Sequence, residues 1–382
     1  MRELHSIFVA LALSLVPASA ASANDYLGVR VLETIVIEKM PSGPGLSGTV
    51  LSPDGESVLH LSGRDICLWK VNATRHWIEI GCATSNPEFD VSPTEDARWS
   101  PDSSAVLLPT YSNAFERFRD ADIAVFDIAT RSINVLTADG LRNIKDVDKG
   151  YIDASPQWLD ADTIVFVRYL IEEGGLYGTY PIQVMTIERD GTGLVKLTEI
   201  ERPTRGFVDA LASSPDGKRI AYSLASKDDS LTGVWMLDLG ETKAVRLVPH
   251  AATGEWPRGL SFSPDGEKLL IISSAMGYPN GSVVDLASGE AVDVSAEDIS
   301  GLGWSPTGHS LIYMTSDRNE KGKAVGVYVA PEPGDRGYRI LDGKFFPAAC
   351  CYLQAMPWAS NDRLVFLNPE NIGDAFFVQL DR

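Results

Sequence analysis

An all-β ring of blades, a seven-bladed β-propeller, is predicted by three features of this chain. A turn phrase returns seven times. β-branched and aromatic runs follow each copy in a fixed order. One good strand precedes the first copy and has no repeat of its own. The phrase reads Leu51-Ser52-Pro53-Asp54-Gly55, Trp99-Ser100-Pro101-Asp102, Trp158-Leu159-Asp160, Ser214-Pro215-Asp216-Gly217, Phe262-Ser263-Pro264-Asp265-Gly266, Trp304-Ser305-Pro306-Thr307-Gly308 and Trp358-Ala359-Ser360-Asn361-Asp362. Copies lie 42 to 59 residues apart, a period that suits four-stranded antiparallel blades. The third copy is weak, so six blades with one irregular insertion is the alternative count.

The elements follow in order. Residues 1–23 read as a signal peptide. Arg2 is the charged start, Ile7 to Val16 the apolar stretch, and Ala18-Ser19-Ala20 and Ala21-Ser22-Ala23 are small-residue cleavage sites. Residues 24–382 form one propeller domain, expected to be periplasmic or secreted, with no transmembrane segment after cleavage. Val31 to Glu38 is the strand without a repeat. The fourth copy shows the grammar of a blade. Asp209 to Ala212 is the first strand, and Pro215-Asp216-Gly217 makes a tight turn, Pro presetting φ and Gly accepting positive φ. Arg219 to Tyr222, Val234 to Asp238 and Ala244 to Leu247 follow as strands two to four. The seventh copy has strands near Ala355 to Trp358, at Arg363 to Leu367 and at Ala375 to Leu380, and lacks the fourth. The N-terminal strand is expected to complete that blade and close the ring, removing two open sheet edges.

The recurring aromatics Trp99, Trp158, Phe262, Trp304 and Trp358 hold one blade position and read as inter-blade packing. The recurring Asp reads as a turn residue whose carboxylate binds nearby backbone N–H groups.

A formal charge of −19 argues against nucleic acid and anionic lipid as partners. It suits cationic groups on a partner, or simple solubility. Four cysteines would sit in an oxidising compartment. Cys67 and Cys82 flank a hairpin turn at Asn72 to Arg75 and are expected to pair. Cys350-Cys351 is a vicinal pair, and three connectivities are open. Neither CxxC spacing nor a nearby histidine supports a thiol metal site.

The turn phrase, the strand after it and the third strand ending in Asp resemble the propeller repeats of TolB and its relatives, over residues 47 to 382. The resemblance implies an exported scaffold that binds protein partners at the cell envelope, including a peptidoglycan-associated lipoprotein. TolB carries an α/β domain ahead of its propeller. Here about two dozen residues separate the cleavage point from the first repeat. Similar repeats occur in propellers attached to prolyl-oligopeptidase-type hydrolases and in oligogalacturonate lyases. The hydrolase reading lacks a Gly-x-Ser-x-Gly elbow. The lyase reading implies a histidine-rich metal site, whereas His60, His76, His250 and His309 occupy different parts of the repeat frame.

Loop lengths locate the candidate sites. First-to-second and third-to-fourth strand connections read as tight turns. The remaining connections read as longer and share one end of the ring. On that end Tyr111, Phe115, Arg117, Arg119, Tyr177, Arg205, Trp256 and Arg258 offer the aromatic and arginine content of a protein or peptide hot spot. Asp96, Arg98, Asp153, Gln157, Asp209 and Asp298 are expected at the mouth of the central channel. Asp146-Val147-Asp148 through Asp153 lacks the third acidic ligand and terminal Glu of an EF-hand loop. No metal site and no cofactor are assigned, with a channel cation as the one exception left open.

The function these features favour is a binding scaffold for an envelope protein or peptide. The alternatives are a carbohydrate-active enzyme, lyase or hydrolase, and a small-ligand sensor, both using the channel mouth. No catalytic residue is assigned.

Overall fold

The computed structural model describes residues 30–37, 49–62, 65–71, 77–84, 89–91, 97–112, 121–138, 149–172, 181–200, 206–225, 231–241, 243–249, 256–275, 278–294, 299–306, 308–317, 323–342, 363–367 and 375–381. Every regular element among them is a strand. The first is β1 (Arg30–Ile37). Blade 1 contains β2 (Thr49–Leu51), β3 (Ser57–Ser62), β4 (Asp65–Val71) and β5 (Trp77–Thr84). Blade 2 contains β6 (Phe89–Val91), β7 (Arg98–Trp99), β8 (Ala105–Ser112), β9 (Ala121–Asp127) and β10 (Ser132–Val135). Blade 3 contains β11 (Lys149–Trp158), β12 (Thr163–Glu172), β13 (Ile182–Glu188) and β14 (Val195–Ile200). Blade 4 contains β15 (Phe207–Ser213), β16 (Arg219–Ala225), β17 (Gly233–Asp238) and β18 (Val245–Pro249). Blade 5 contains β19 (Trp256–Phe262), β20 (Lys268–Ala275), β21 (Tyr278–Asp285) and β22 (Ala291–Asp293). Blade 6 contains β23 (Ile299–Trp304), β24 (Leu311–Asp317), β25 (Lys323–Ala330) and β26 (Tyr338–Asp342). Last come β27 (Arg363–Leu367) and β28 (Ala375–Asp381).

Each blade is an antiparallel meander in sequence order, the expected product of tight turns between short β-branched runs. Blade 2 departs from this because its first strand is broken into β6 and β7, both paired with β8. Six sheets therefore have the four-position blade form, which matches the six-blade count and corrects the prediction of seven complete ones. The remaining sheet has three described strands, in the order β1-β28-β27. Its fourth position was expected near Ala355 to Trp358, outside the described residues. β1 runs antiparallel to β28 with Arg30 opposite Asp381 and Ile37 opposite Ala375, so the start of the described chain is sewn to its end.

The turn phrase forms because serine and aspartate satisfy the backbone they bend. In blade 4 the Ser214 hydroxyl donates to Asp216 Oδ1 at 2.6 Å and accepts the Arg219 N–H at 2.9 Å, while Gly217 N–H reaches the Ser214 carbonyl at 2.9 Å. Blades 1, 2 and 5 repeat the serine–aspartate bond at Ser52–Asp54, Ser100–Asp102 and Ser263–Asp265. Gly217 has φ +66°, and a Cβ there would lie 2.8 Å from the Leu159 carbonyl of blade 3, so both backbone conformation and close approach require glycine.

Packing occurs between blades rather than within one thick core. One cluster joins Leu59, Ile66 and Leu68 of blade 1 to Trp99, Val106 and Phe126 of blade 2. Another joins Leu107 and Ile123 of blade 2 to Trp158, Ile164 and Phe166 of blade 3. The pattern continues from blade 3 to 4, 4 to 5 and 5 to 6. Fully burying one such side chain contributes about 1.5–3 kcal/mol. The recurring tryptophans serve this packing and add a hydrogen bond to the preceding blade. Nε1–H of Trp99, Trp158 and Trp304 donates to the carbonyls of Val50, Arg98 and Ser261, at 3.2, 2.9 and 3.0 Å.

Cys67 of β4 faces Cys82 of β5 and the two are joined by a disulfide. Cys350 and Cys351 lie outside the described residues, as does the predicted signal segment. Among the described residues no helix is long and apolar enough to cross a membrane.

Candidate functional site

The two ends of the blades are built differently. At the tight-turn end, neighbouring blades are tied by polar side chains. Arg131 donates to the Ile80 carbonyl at 2.9 Å, linking blades 2 and 1. Arg189 of blade 3 reaches Ser104 Oγ and Asp127 Oδ2 of blade 2, both at 2.9 Å. Arg219 of blade 4 donates to the Gly266 carbonyl of blade 5 at 2.6 Å, and His309 of blade 6 meets Asp265 of blade 5 at 2.5 Å. The repeated aspartates are engaged here as turn residues. The Ser100 hydroxyl holds the Asp102 carboxyl below the usual aspartate range, and the Ser214 hydroxyl does the same for Asp216. Such groups are held ionised and bonded within their own turns.

The opposite end is more elaborate, but not in every blade. Second and third strands are connected by eight residues in blade 2 (113–120), nine in blade 3 (173–181) and seven in blade 4 (226–232). In blades 1 and 5 the same connection has only two residues, 63–64 and 276–277. The expectation that all these loops are long is corrected accordingly. Two-residue hairpins suffice where antiparallel strands stay paired to their tips, as Ser62 with Asp65 and Ala275 with Tyr278 do. The long connections thus fall in blades 2 to 4 and in the last sheet, where residues 368–374 join β27 to β28.

The innermost strands of blades 2 to 6 lose their regular register. β11 skips Ser155 and Pro156 between Ala154 and Gln157. β15 bulges at Asp209, β19 at Arg258 and β23 at Ser300. In blade 2 the break between β6 and β7 spans residues 92–97. Bulges re-aim side chains and recur beside functional sites. Ser155 also has φ +52°, a left-handed conformation inside a strand that a serine adopts only when its surroundings enforce it.

These observations place the predicted site residues. Asp209 and Arg258 occupy the bulge positions of β15 and β19, which lie side by side. Asp209 is exposed, and Arg258 holds the corresponding position on the adjacent inner strand. Trp256 begins β19 opposite Ser274, and Tyr111 lies on β8 opposite Asp90 and Ala121. Arg98 on β7 donates to the Ala97 carbonyl at 3.1 Å, and half-buried Gln157 pairs with Val165. Asp153 is placed differently from its predicted position at an open mouth. It is 3% exposed and bound in two-pronged fashion to Arg168, whose Nε and Nη2 each lie 2.7 Å from a carboxylate oxygen. Register explains it, because β11 places Asp153 directly opposite Arg168 on β12. Phe115, Arg117, Arg119, Tyr177, Arg205, Asp96 and Asp298 lie outside the described residues.

Sequence reasoning missed Arg168, Tyr151 and Ser155. The Arg168 guanidinium lies 4.8 Å from the centre of the Tyr151 ring and 5.6 Å from that of Phe166. Its signal was present as a lone cation in the otherwise apolar run Ile164 to Leu170. Ser155 carried no signal, since bulges are invisible without the register. Two groups have metal-ligating atoms close together among the described residues. Cys67, Glu79 and Cys82 form one, but its thiols are consumed by the disulfide. Asp265, Glu267 and His309 form the other, at the tight-turn end. Neither lies on an innermost strand.

No protein-family model matches the chain. No curated protein matches it at the level of sequence. The solved structures do contain this architecture. The chain is similar to an oligogalacturonate lyase from Vibrio parahaemolyticus, with TM-score 0.59 and 12% identity over 92% of this chain and 97% of that one. It is similar to an oligogalacturonate lyase in complex with manganese, with TM-score 0.57 and 13% identity over 91% of each. TolB from Acinetobacter baumannii gives TM-score 0.43 and 13% identity over 86% of this chain and 65% of that one. The likeness to the lyases shows that the fold is a β-propeller of four-stranded antiparallel blades.

Proposed function

We propose that this chain is an exported binding scaffold of the cell envelope, working in the periplasm, that docks a protein or peptide on its long-loop end. In this reading the sheet of β1, β28 and β27 closes the ring. The observation that carries the proposal is the contrast between the two ends. The tight-turn end is occupied by its own inter-blade bonds. The other end carries the long connections of blades 2 to 4 and of the last sheet, with Asp209 and Arg258 at bulges of its inner strands. A rigid β frame with its long loops at one end suits recognition.

A photo-crosslinking residue placed at Trp256, on the long-loop end, is expected to capture a partner in envelope preparations. The same residue at Ser288, on a tight turn, is expected to capture none. Equal capture at both positions, or capture at Ser288 alone, overturns the reading.

The second reading, a carbohydrate-active enzyme, is favoured by the likeness to oligogalacturonate lyases. Against it, His60 lies on β3 and His309 on a turn of blade 6, so these two do not share a site. Incubation with oligogalacturonate decides this. Release of unsaturated products would establish the enzyme, and their absence at micromolar protein favours the scaffold.

A further inference from the structure

We propose that the junction of blades 5 and 6 at the tight-turn end binds one divalent transition-metal ion of the zinc class, through Asp265, Glu267 and His309. The site lies at the opposite end from the proposed docking surface and does not depend on it. Its origin is a substitution within the repeat. After the turn glycine, blades 1, 4 and 5 carry Glu56, Lys218 and Glu267, whereas blade 6 carries His309. Blade 6 also has Thr307 in place of the recurring aspartate. The His309 ring instead takes the aspartate of the neighbouring blade, with Nε2 2.5 Å from Asp265 Oδ2.

One ligand atom each from Asp265, Glu267 and His309 lie within 4.8 Å of one another. Asp265 Oδ1 already accepts the Ser263 hydroxyl at 2.6 Å and the Glu267 N–H at 2.9 Å, which orients the carboxylate and turns Oδ2 toward the ring. The other ring nitrogen, Nδ1, lies 3.9 Å from Glu332 Oε2. At 2.5 Å from the Asp265 carboxylate, Nε2 carries the bridging proton, which a divalent ion would displace on binding. Charge points the same way. Asp265, Glu267 and Glu332 gather around His309, while the nearby cations are engaged elsewhere, Lys268 with Asp285 Oδ2 at 2.9 Å and Arg219 with the Gly266 carbonyl at 2.6 Å. Other junctions at this end are stitched by arginine, which cannot ligate a metal, whereas imidazole can. One imidazole with two carboxylates suits zinc, cobalt or manganese rather than calcium or magnesium, which prefer all-oxygen ligands. The two acidic residues are exposed, so water would complete the coordination, and the ion would clamp two blades together.

The test uses the untagged chain, stripped with chelator and titrated with Zn2+ by calorimetry, with melting curves in parallel. The expected result is one Zn2+ per chain and a raised melting temperature. His309→Ala should abolish the site and Glu267→Gln should weaken it at least tenfold, while the double variant Cys350→Ser/Cys351→Ser should bind as the parent does. Co2+ in place of Zn2+ should give a visible spectrum without a thiolate charge-transfer band. If His309→Ala fails to fold, the exposed Glu267→Gln decides alone. Absence of saturable binding in the parent, or any other pattern among the variants, overturns the proposal.

Discussion

At the scale of single residues, the repeat shows what its phrase requires by where it departs from it. Gly55, Gly217 and Gly266 take φ of 71°, 66° and 73° in their turns, and blade 2 places Ser103 there with φ 57°. A left-handed serine costs about 1–2 kcal/mol, partly offset by the greater freedom a glycine has in the unfolded chain. Ser103→Gly is therefore expected to stabilise the protein by about 0.5–1 kcal/mol, read as a higher denaturant midpoint. The Asp153–Arg168 pair behaves in the opposite sense. Both partners are buried, and removing one charge strands the other away from water. Asp153→Asn should cost about 3–5 kcal/mol. Exchanging both residues for apolar ones of similar size should cost far less, and a double-mutant cycle separates the two effects.

At the scale of the element, strands were legible and their irregularities were not. Val-Leu-Glu-Thr-Ile-Val-Ile announced β1 through β-branched content, and its lack of a repeat pointed to a partner at the far end, which β28 is. The turn phrases predicted the hairpins, because serine, proline, aspartate and glycine act locally. The breaks in β11, β15, β19 and β23 depend on how two strands slide against each other, which local composition does not encode. Hence Asp209 and Arg258 were identifiable as inner-strand residues but not as bulged ones, and Asp153 was read as open when Arg168 covers it. The length of the second-to-third connections was overgeneralised from blades 2, 3 and 4. A prediction belongs to β1. Deleting residues 24–40 leaves β28 with an unpaired edge, so the melting temperature should fall by more than about 5 °C and dye-binding apolar surface should appear. An unchanged transition would show that the sheet holds without it.

At the scale of the whole molecule, acidity and stability are linked through the turns. Ser100 depresses the Asp102 carboxyl, the Thr130 N–H that of Asp127, the Ser214 hydroxyl that of Asp216 and the Lys268 ammonium that of Asp285. A carboxyl whose folded value lies below its unfolded one stabilises the fold fully above the unfolded value. It loses that contribution as pH falls through the folded one. The ordinary aspartate value is 3.8, so denaturant midpoints should be level above about pH 5 and fall steeply below pH 4. A decline that begins near pH 6 would point to histidine instead. The seam between β1 and β28 has a further consequence, in time rather than in energy. Arg30 leaves the ribosome more than three hundred residues before Asp381, its partner in the sheet. Each blade can assemble against the previous one as synthesis proceeds, but the opening strand waits for its mate throughout. That sheet can form only once β28 has been made, so the seam between β1 and β28 joins after every blade between them has been synthesised.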